Sequence, residues 1–337
     1  MTALHFSFIV PVYNRPDEIE ELLKSFTTLE GNFTFEIVIV EDGSTIDCKS
    51  IIDEFSSNLE ISYYVKPNSG PGDSRNFGMS KAKGNYFIIL DSDCLVPKHY
   101  LTIVNSYLFS NYIDCFGGPD AAHDSFTNLQ KAINFAMTSF ITTGGIRGGQ
   151  ISGDKFQPRS FNMGLSKTAF EASGGFGLIH PGEDPDLSIR LNTLGYETIL
   201  IKEAFVYHKR RISWMKFYQQ VHKFGMVRPI LNKWHTQTKR LTYWFPALFS
   251  IGFIIAVVCA LFDFKIPLLL YGCYLFLAFT LSLVANKSIS VAVQSILAIF
   301  IQFFGYGYGF LKSTLAIEIL NKNPEKHFPK LFFKDVK

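Results

Sequence analysis

At 337 residues the chain is too long for one small core and suits a catalytic-sized domain with something added. Its 32 Lys and Arg nearly balance 29 Asp and Glu, which excludes a nucleic-acid-binding polycation and leaves nucleic acid out of the expected partners. Aromatic residues at 15% and a mean hydropathy of +0.16 point instead towards membrane contact.

Short apolar runs alternate with helical patterns from the start to about residue 115. Phe6 to Val12 reads as a strand, and Ile19, Leu22, Leu23 and Phe26 then fall at helical spacing behind Pro16, whose missing N–H costs little in a first turn. Phe35 to Val40 is a second buried strand, followed by a helix carrying Ile51, Ile52 and Phe55. Ile61 to Val65, a helix near Ser74 to Ala82, and Tyr86 to Leu90 continue the pattern. Such alternation predicts an α/β domain with a mainly parallel sheet covered on both faces, its ligand crevice beyond the carboxyl ends of the strands. Polar residues collect at those ends: Asn14 and Arg15, then Glu41 to Ser44, then Asp91-Ser92-Asp93. Two carboxylates separated by one residue repel each other and are costly to bury, but they make a seat for a hard divalent metal that also holds phosphates.

Residues 117 to about 160, with Thr143 to Gly149 rich in Gly and Arg, read as a flexible functional loop. Gly182-Glu183-Asp184-Pro185 then opens a helix with Leu187, Ile189 and Leu191 turned inward. From Lys202 to Arg240 there are ten Lys or Arg and one acid, Glu203. Tyr243 to Phe262 and Ile266 to Ala285 carry no charge, nor does Ile289 to Leu311, although Gly305, Gly307 and Gly309 weaken the third run. Each is long enough to cross a bilayer core of ~30 Å. Tyr243, Trp244, Tyr306 and Tyr308 near the ends fit the interfacial preference of aromatic rings. Five cysteines without metal-binding spacing argue for reduced thiols, and the first residues lack the pattern of a signal peptide. The first domain is therefore expected on the cytoplasmic side. Three full spans would place the tail on the other side, despite its six lysines from Lys312 onward.

The ordered series Pro11-Val12-Tyr13-Asn14-Arg15, Glu41-Asp42-Gly43-Ser44, Asp91-Ser92-Asp93 and Gly182-Glu183-Asp184 resembles the family-2 glycosyltransferases of GT-A fold over roughly residues 5 to 225. Pro71-Gly72-Asp73-Ser74-Arg75-Asn76-Phe77-Gly78 strengthens the likeness. The resemblance implies a Rossmann-like GT-A domain over 1–235, with a nucleotide-binding half to about 115 and an acceptor half from about 116. A membrane region of two to three transmembrane helices over 241–312 and a basic tail over 313–337 would follow. It implies that Pro11, Tyr13 and Asn14 line a nucleotide pocket in which Asp42 accepts a hydrogen bond from the base, that Arg75 lies near the nucleotide against phosphate or a carboxylate, and that Asp91 meets the ribose or, through water, the metal. Asp93 would bind Mn²⁺ or Mg²⁺ with His208 as a further ligand, and Asp184 would be the catalytic base. Lys209, Arg210 and Arg211 would face diphosphate or anionic lipid headgroups. The expected enzyme sits in the inner cell membrane and transfers a sugar from a nucleoside-diphosphate sugar to a glycan or lipid-linked acceptor. Rival readings are a transferase loading a polyprenyl phosphate and an inactive membrane-bound adaptor. A dehydrogenase fits less well, since Pro-Val-Tyr-Asn-Arg stands after the first strand where a Gly-x-Gly-x-x-Gly turn is expected.

Overall fold

The computed structural model describes residues 3–121, 126–144, 156–208 and 213–333. The chain divides into two compact units that do not follow a single cut. One holds residues 1–123, 151–209 and 332–337; the other holds 124–150 and 210–331.

In the first unit the expected alternation is present. Strands β1 (Phe6–Val12), β2 (Phe35–Asp42), β3 (Ile61–Lys66) and β4 (Tyr86–Leu90) are joined by helices α1 (Pro16–Phe26), α2 (Lys49–Phe55) and α3 (Pro71–Lys81). After β5 (Cys94–Leu95) come α4 (Tyr100–Ser110), β6 (Cys115–Gly117) and β7 (Asp120–Ala121). The second unit begins with α5 (Asn128–Thr138) and α6 (Phe140–Thr143). The first unit resumes with β8 (Asn162–Ser166), α7 (Lys167–Ser173), α8 (Glu183–Thr193), β9 (Thr198–Leu200) and β10 (Val206–His208).

The main sheet has seven strands in the order β3-β2-β1-β4-β8-β6-β9. Its first four are mutually parallel, whereas β8 runs antiparallel to both neighbours. Period-two alternation sorts the core. Phe8, Val10 and Val12 of β1 pack on one face with Ile19, Leu22, Leu23 and Phe26 of α1. Ile9, Val38, Val40 and Ile89 pack on the other with Met79 of α3 and Leu187 and Leu191 of α8. Each such large side chain removed from water contributes about 1.5–3 kcal/mol, so a shift of register by one residue would be prohibitive. A second sheet of order β5-β10-β7 stands beside the carboxyl ends and brings His208 opposite Cys94 in register.

The second unit continues with α9 (Trp214–Trp234) and three long apolar helices, α10 (Phe245–Leu261), α11 (Ile266–Asn286) and α12 (Ile289–Ser313). A π-helical turn over Thr314–Ile319 extends α12, and a short helix α13 (Pro324–His327) follows. The three apolar helices are long and apolar enough to cross a membrane. The glycines that weaken the third apolar run have a packing reason. A methyl group on Gly309 would collide with the backbone of His222 in α9, and one on Gly225 would collide with the backbone of Tyr306. Small residues let two helix backbones approach closely, as they do in bilayers.

Part of the expected loop over 117–160 is helical. Thr127 and Gln130 form a reciprocal capping box at the start of α5, and Ala132, Ile133, Ala136 and Met137 of that helix are buried. The Gly- and Arg-rich stretch around Arg147 lies outside the described residues, as do Lys209, Arg210 and Arg211.

Candidate active site

The carboxyl ends of β1, β2 and β4 lie side by side, and each carries one of the expected polar groups. At the end of β1, Asn14 adopts a left-handed backbone (φ 54°) that an amide side chain tolerates. Its Oδ1 accepts from the N–H groups of Thr45 (2.8 Å) and Ile46 (3.0 Å), while its own N–H donates to Ser44 Oγ (2.7 Å). Asn14 thereby ties the β1 and β2 loops together. Tyr13 beside it is 52% exposed and free to meet a planar ligand, and Pro11 is half-buried.

At the end of β2 both acids are engaged by the protein. Asp42 Oδ1 accepts from Ser69 N–H and Lys66 Nζ, each at 2.9 Å. Its Oδ2 accepts from Gly70 N–H at 2.9 Å and Asn68 Nδ2 at 3.2 Å. These four donors fill the four acceptor sites of a carboxylate, so a nucleotide base could bond Asp42 only by displacing one, Asn68 being the most weakly held. Glu41 accepts from Cys48 N–H (3.1 Å), Tyr63 Oη (2.9 Å) and the Ser44 hydroxyl.

Arg75, on the second turn of α3, is buried with its fork closed by carboxylates: Nη2 lies 2.6 Å from Asp91 Oδ1 and Nη1 3.1 Å from Glu183 Oε1. It therefore meets partner carboxylates through both terminal nitrogens, while its Nε is buried with no hydrogen-bond partner among the described residues. The rest of its motif has equally local reasons. The Asn76 amide clamps the backbone of Phe176 through Nδ2 to O (2.9 Å) and N to Oδ1 (2.8 Å). Gly78 lets α3 pack directly on Ile9. Burial works against the Glu183 carboxylate, yet His180 at 3.0 Å and Arg75 outweigh it and hold the group at about 2.

Asp93 and His208 face each other, with Asp93 Oδ1 3.1 Å from His208 Nε2. The imidazole stacks on Phe161 at 4.7 Å, and its other nitrogen lies 3.8 Å from Asp120 Oδ2. Cys94 Sγ lies within 4.8 Å of both ligand atoms. Burial, reinforced by Asp93, pushes the Cys94 thiol well above its ordinary range, and it donates to the Phe161 carbonyl at 3.4 Å. Mn²⁺ and Mg²⁺ are hard ions that favour oxygen and imidazole nitrogen over sulfur, which leaves the Asp93 carboxylate and the His208 imidazole as the suited ligands of that group. That pair fits Mn²⁺ or Mg²⁺, with coordination positions left over for phosphate oxygens and water.

Asp184 and Glu183 are adjacent but differ in access. The Asp184 side chain is 16% exposed, with Arg159 Nη1 3.5 Å from Oδ2, whereas Glu183 is 5% exposed and locked to Arg75. Sequence reasoning missed Arg159, Asp120 and His180. Arg159 and Asp120 meet their partners from distant chain segments, whereas His180 lies three residues before its partner Glu183, just ahead of the Gly182-Glu183-Asp184 motif.

Residues 7–174 match the model of the family described as "Glycosyl transferase family 2". The chain belongs to that family. Similar curated proteins include an uncharacterised glycosyltransferase of Rickettsia conorii, 37% identical over 31% of this chain and 18% of that protein. The poly(ribitol-phosphate) β-N-acetylglucosaminyltransferase TarS of Staphylococcus aureus is 32% identical over 33% of this chain and 20% of its own length. The abequosyltransferase RfbV of Salmonella typhimurium is 37% identical over 31% and 32%, so the match spans no more than about a third of any of these three relatives. Among solved structures, the mannosyltransferase PcManGT from Pyrobaculum calidifontis, in complex with GDP-Man and Mn²⁺, superposes with a TM-score of 0.56. It is 15% identical and the match covers 94% of this chain and 88% of that one, which establishes a shared GT-A fold.

Proposed function

We propose that this family-2 glycosyltransferase moves a sugar from a nucleoside-diphosphate sugar to a glycan or lipid-linked acceptor, with inversion at the anomeric carbon. The observation that carries the reading is the Asp93–His208 pair at one end of β4, together with an accessible Asp184 at the start of α8. An acceptor hydroxyl is a weak nucleophile. Asp184 takes its proton as the oxygen attacks the anomeric carbon, and the bond from that carbon to the diphosphate oxygen breaks with its electron pair leaving on the diphosphate. Arg159, 3.5 Å away, would orient Asp184. Asp91, held by Arg75, is placed to meet the ribose. A divalent ion held by Asp93 and His208 would supply Lewis acidity to the leaving diphosphate. The three apolar helices would keep the enzyme in the inner cell membrane beside its acceptor, with the catalytic unit on the cytoplasmic face.

The test is a panel of nucleotide sugars offered to the full-length protein in detergent, with Mn²⁺, with Mg²⁺ and with chelator. Metal-dependent release of one nucleoside diphosphate is expected. The anomeric coupling in the NMR spectrum of the product should report inversion, and retention would overturn the single-displacement mechanism.

A further inference from the structure

After the last apolar helix the chain returns to the first unit and makes a short bridge. Phe332 pairs with Ile179, and Phe333 N–H donates to the Leu178 carbonyl at 3.0 Å. The ring of Phe333 covers Gly70, where any side chain would collide with it, and lies 5.8 Å from the ring of His180. Gly70 has a left-handed backbone (φ 96°), donates its N–H to Asp42 Oδ2, and accepts from Ser74 N–H at 3.0 Å as α3 begins. One aromatic ring thus rests on the residue that fixes both Asp42 and the start of the helix bearing Arg75.

We infer that Phe333 is a positioning residue of the donor site, pressing the Ser69–Gly70 turn into the form that holds Asp42 at the nucleoside end of the crevice. This rests on the donor reading above. With a diphosphate at Asp93 and His208, beyond β4, a nucleoside reaching across β1 arrives at the end of β2, where Asp42 stands. Phe333 acts through Gly70 and touches neither metal-ligand candidate. Its loss therefore weakens recognition of the nucleoside and leaves diphosphate binding alone. A ring that only stabilised the fold would weaken both or neither.

The experiment uses the full-length protein in detergent and calorimetric titration in Mn²⁺ with UDP, GDP, CDP and dTDP, and separately with inorganic pyrophosphate. Phe333→Ala should weaken the nucleotide that wild type prefers by roughly tenfold, the worth of one lost aromatic contact, while pyrophosphate affinity stays unchanged. Phe333→Tyr should restore nucleotide affinity, because it keeps the ring. An exposed-ring control, Phe109→Ala, should change neither. Nucleotide affinity equal to wild type in Phe333→Ala would overturn the inference and leave the donor reading standing. So would equal weakening of nucleotide and pyrophosphate. Failure of the wild type to bind any of the four nucleotides would overturn the donor reading, and this inference with it.

Discussion

The two strand ends that flank β1 carry acidic pairs that differ in their surroundings. At the end of β2, Glu41 and Asp42 accept hydrogen bonds from backbone N–H groups, a lysine, a tyrosine and a serine of the protein itself. At the end of β4, Asp93 faces an imidazole, and Asp91 is shared with an arginine that also holds Glu183. The first pair is held in place by the protein's own donors, while the second presents ligand atoms in the combination a divalent cation takes. Donor supply sets how firmly a carboxylate is held: one that fixed backbone donors have filled is rigidly positioned, and one opposite another ligand type keeps room for a cation.

The sharpest test of that difference is Asp93→Ala, which should abolish transfer and Mn²⁺-dependent nucleotide binding while shifting stability by no more than about 0.5 kcal/mol. Near-normal activity with the metal requirement intact would erase the distinction between the two strand ends. Asp184→Asn should come next, lowering turnover by ~10²–10⁴-fold with donor affinity nearly unchanged, because the amide keeps the shape and loses the basicity. Turnover within a few-fold of wild type would return Asp184 to being a helix-start residue. Asp42→Ala, unlike Asp93→Ala, should also destabilise the fold, losing on the order of 3 kcal/mol in denaturant unfolding, since the buried N–H groups of Ser69 and Gly70 lose their acceptor and Lys66 keeps only Asp73 as a carboxylate partner.

The smallest effect concerns acid stability. The Glu183 carboxyl is held below its ordinary value of 4.5, at about 2. A group with a depressed folded value contributes stability that is fully present above about 4.5 and is lost as the pH falls towards about 2. Glu183→Gln should therefore lower the melting temperature at neutral pH and flatten its decline through that window. An unchanged acid limb would mean that other carboxylates carry it.

What the sequence disclosed follows the physics of each signal. The strands of the first unit were legible because alternate residues of β1 and β2 face opposite buried layers, and the three apolar helices because charge is absent over a bilayer's width. The order of motifs carried the fold. Helix α5 was missed because the capping pair Thr127 and Gln130 was overshadowed by the glycines that follow. The engaged state of Asp42 was also invisible: its donors Lys66, Asn68, Ser69 and Gly70 belong to another loop, and backbone N–H groups leave no mark on composition. Arg159 and Phe333 act through single contacts across long stretches of chain, which no periodicity records.

The bridge between Phe332 and Ile179 also restricts how the chain can be threaded through a bilayer. Residues on both flanks of the three long apolar helices end in the same compact unit, so both flanks must lie on one side of any membrane those helices enter. An even number of full crossings is the count compatible with that arrangement. Of the three, α12 has 39% of its apolar window buried against protein, compared with 11% for α11, and so has the least need of lipid. An even count would also put the lysines of the tail on the same side as the basic stretch between Lys202 and Arg240, where a single leaflet could attract both.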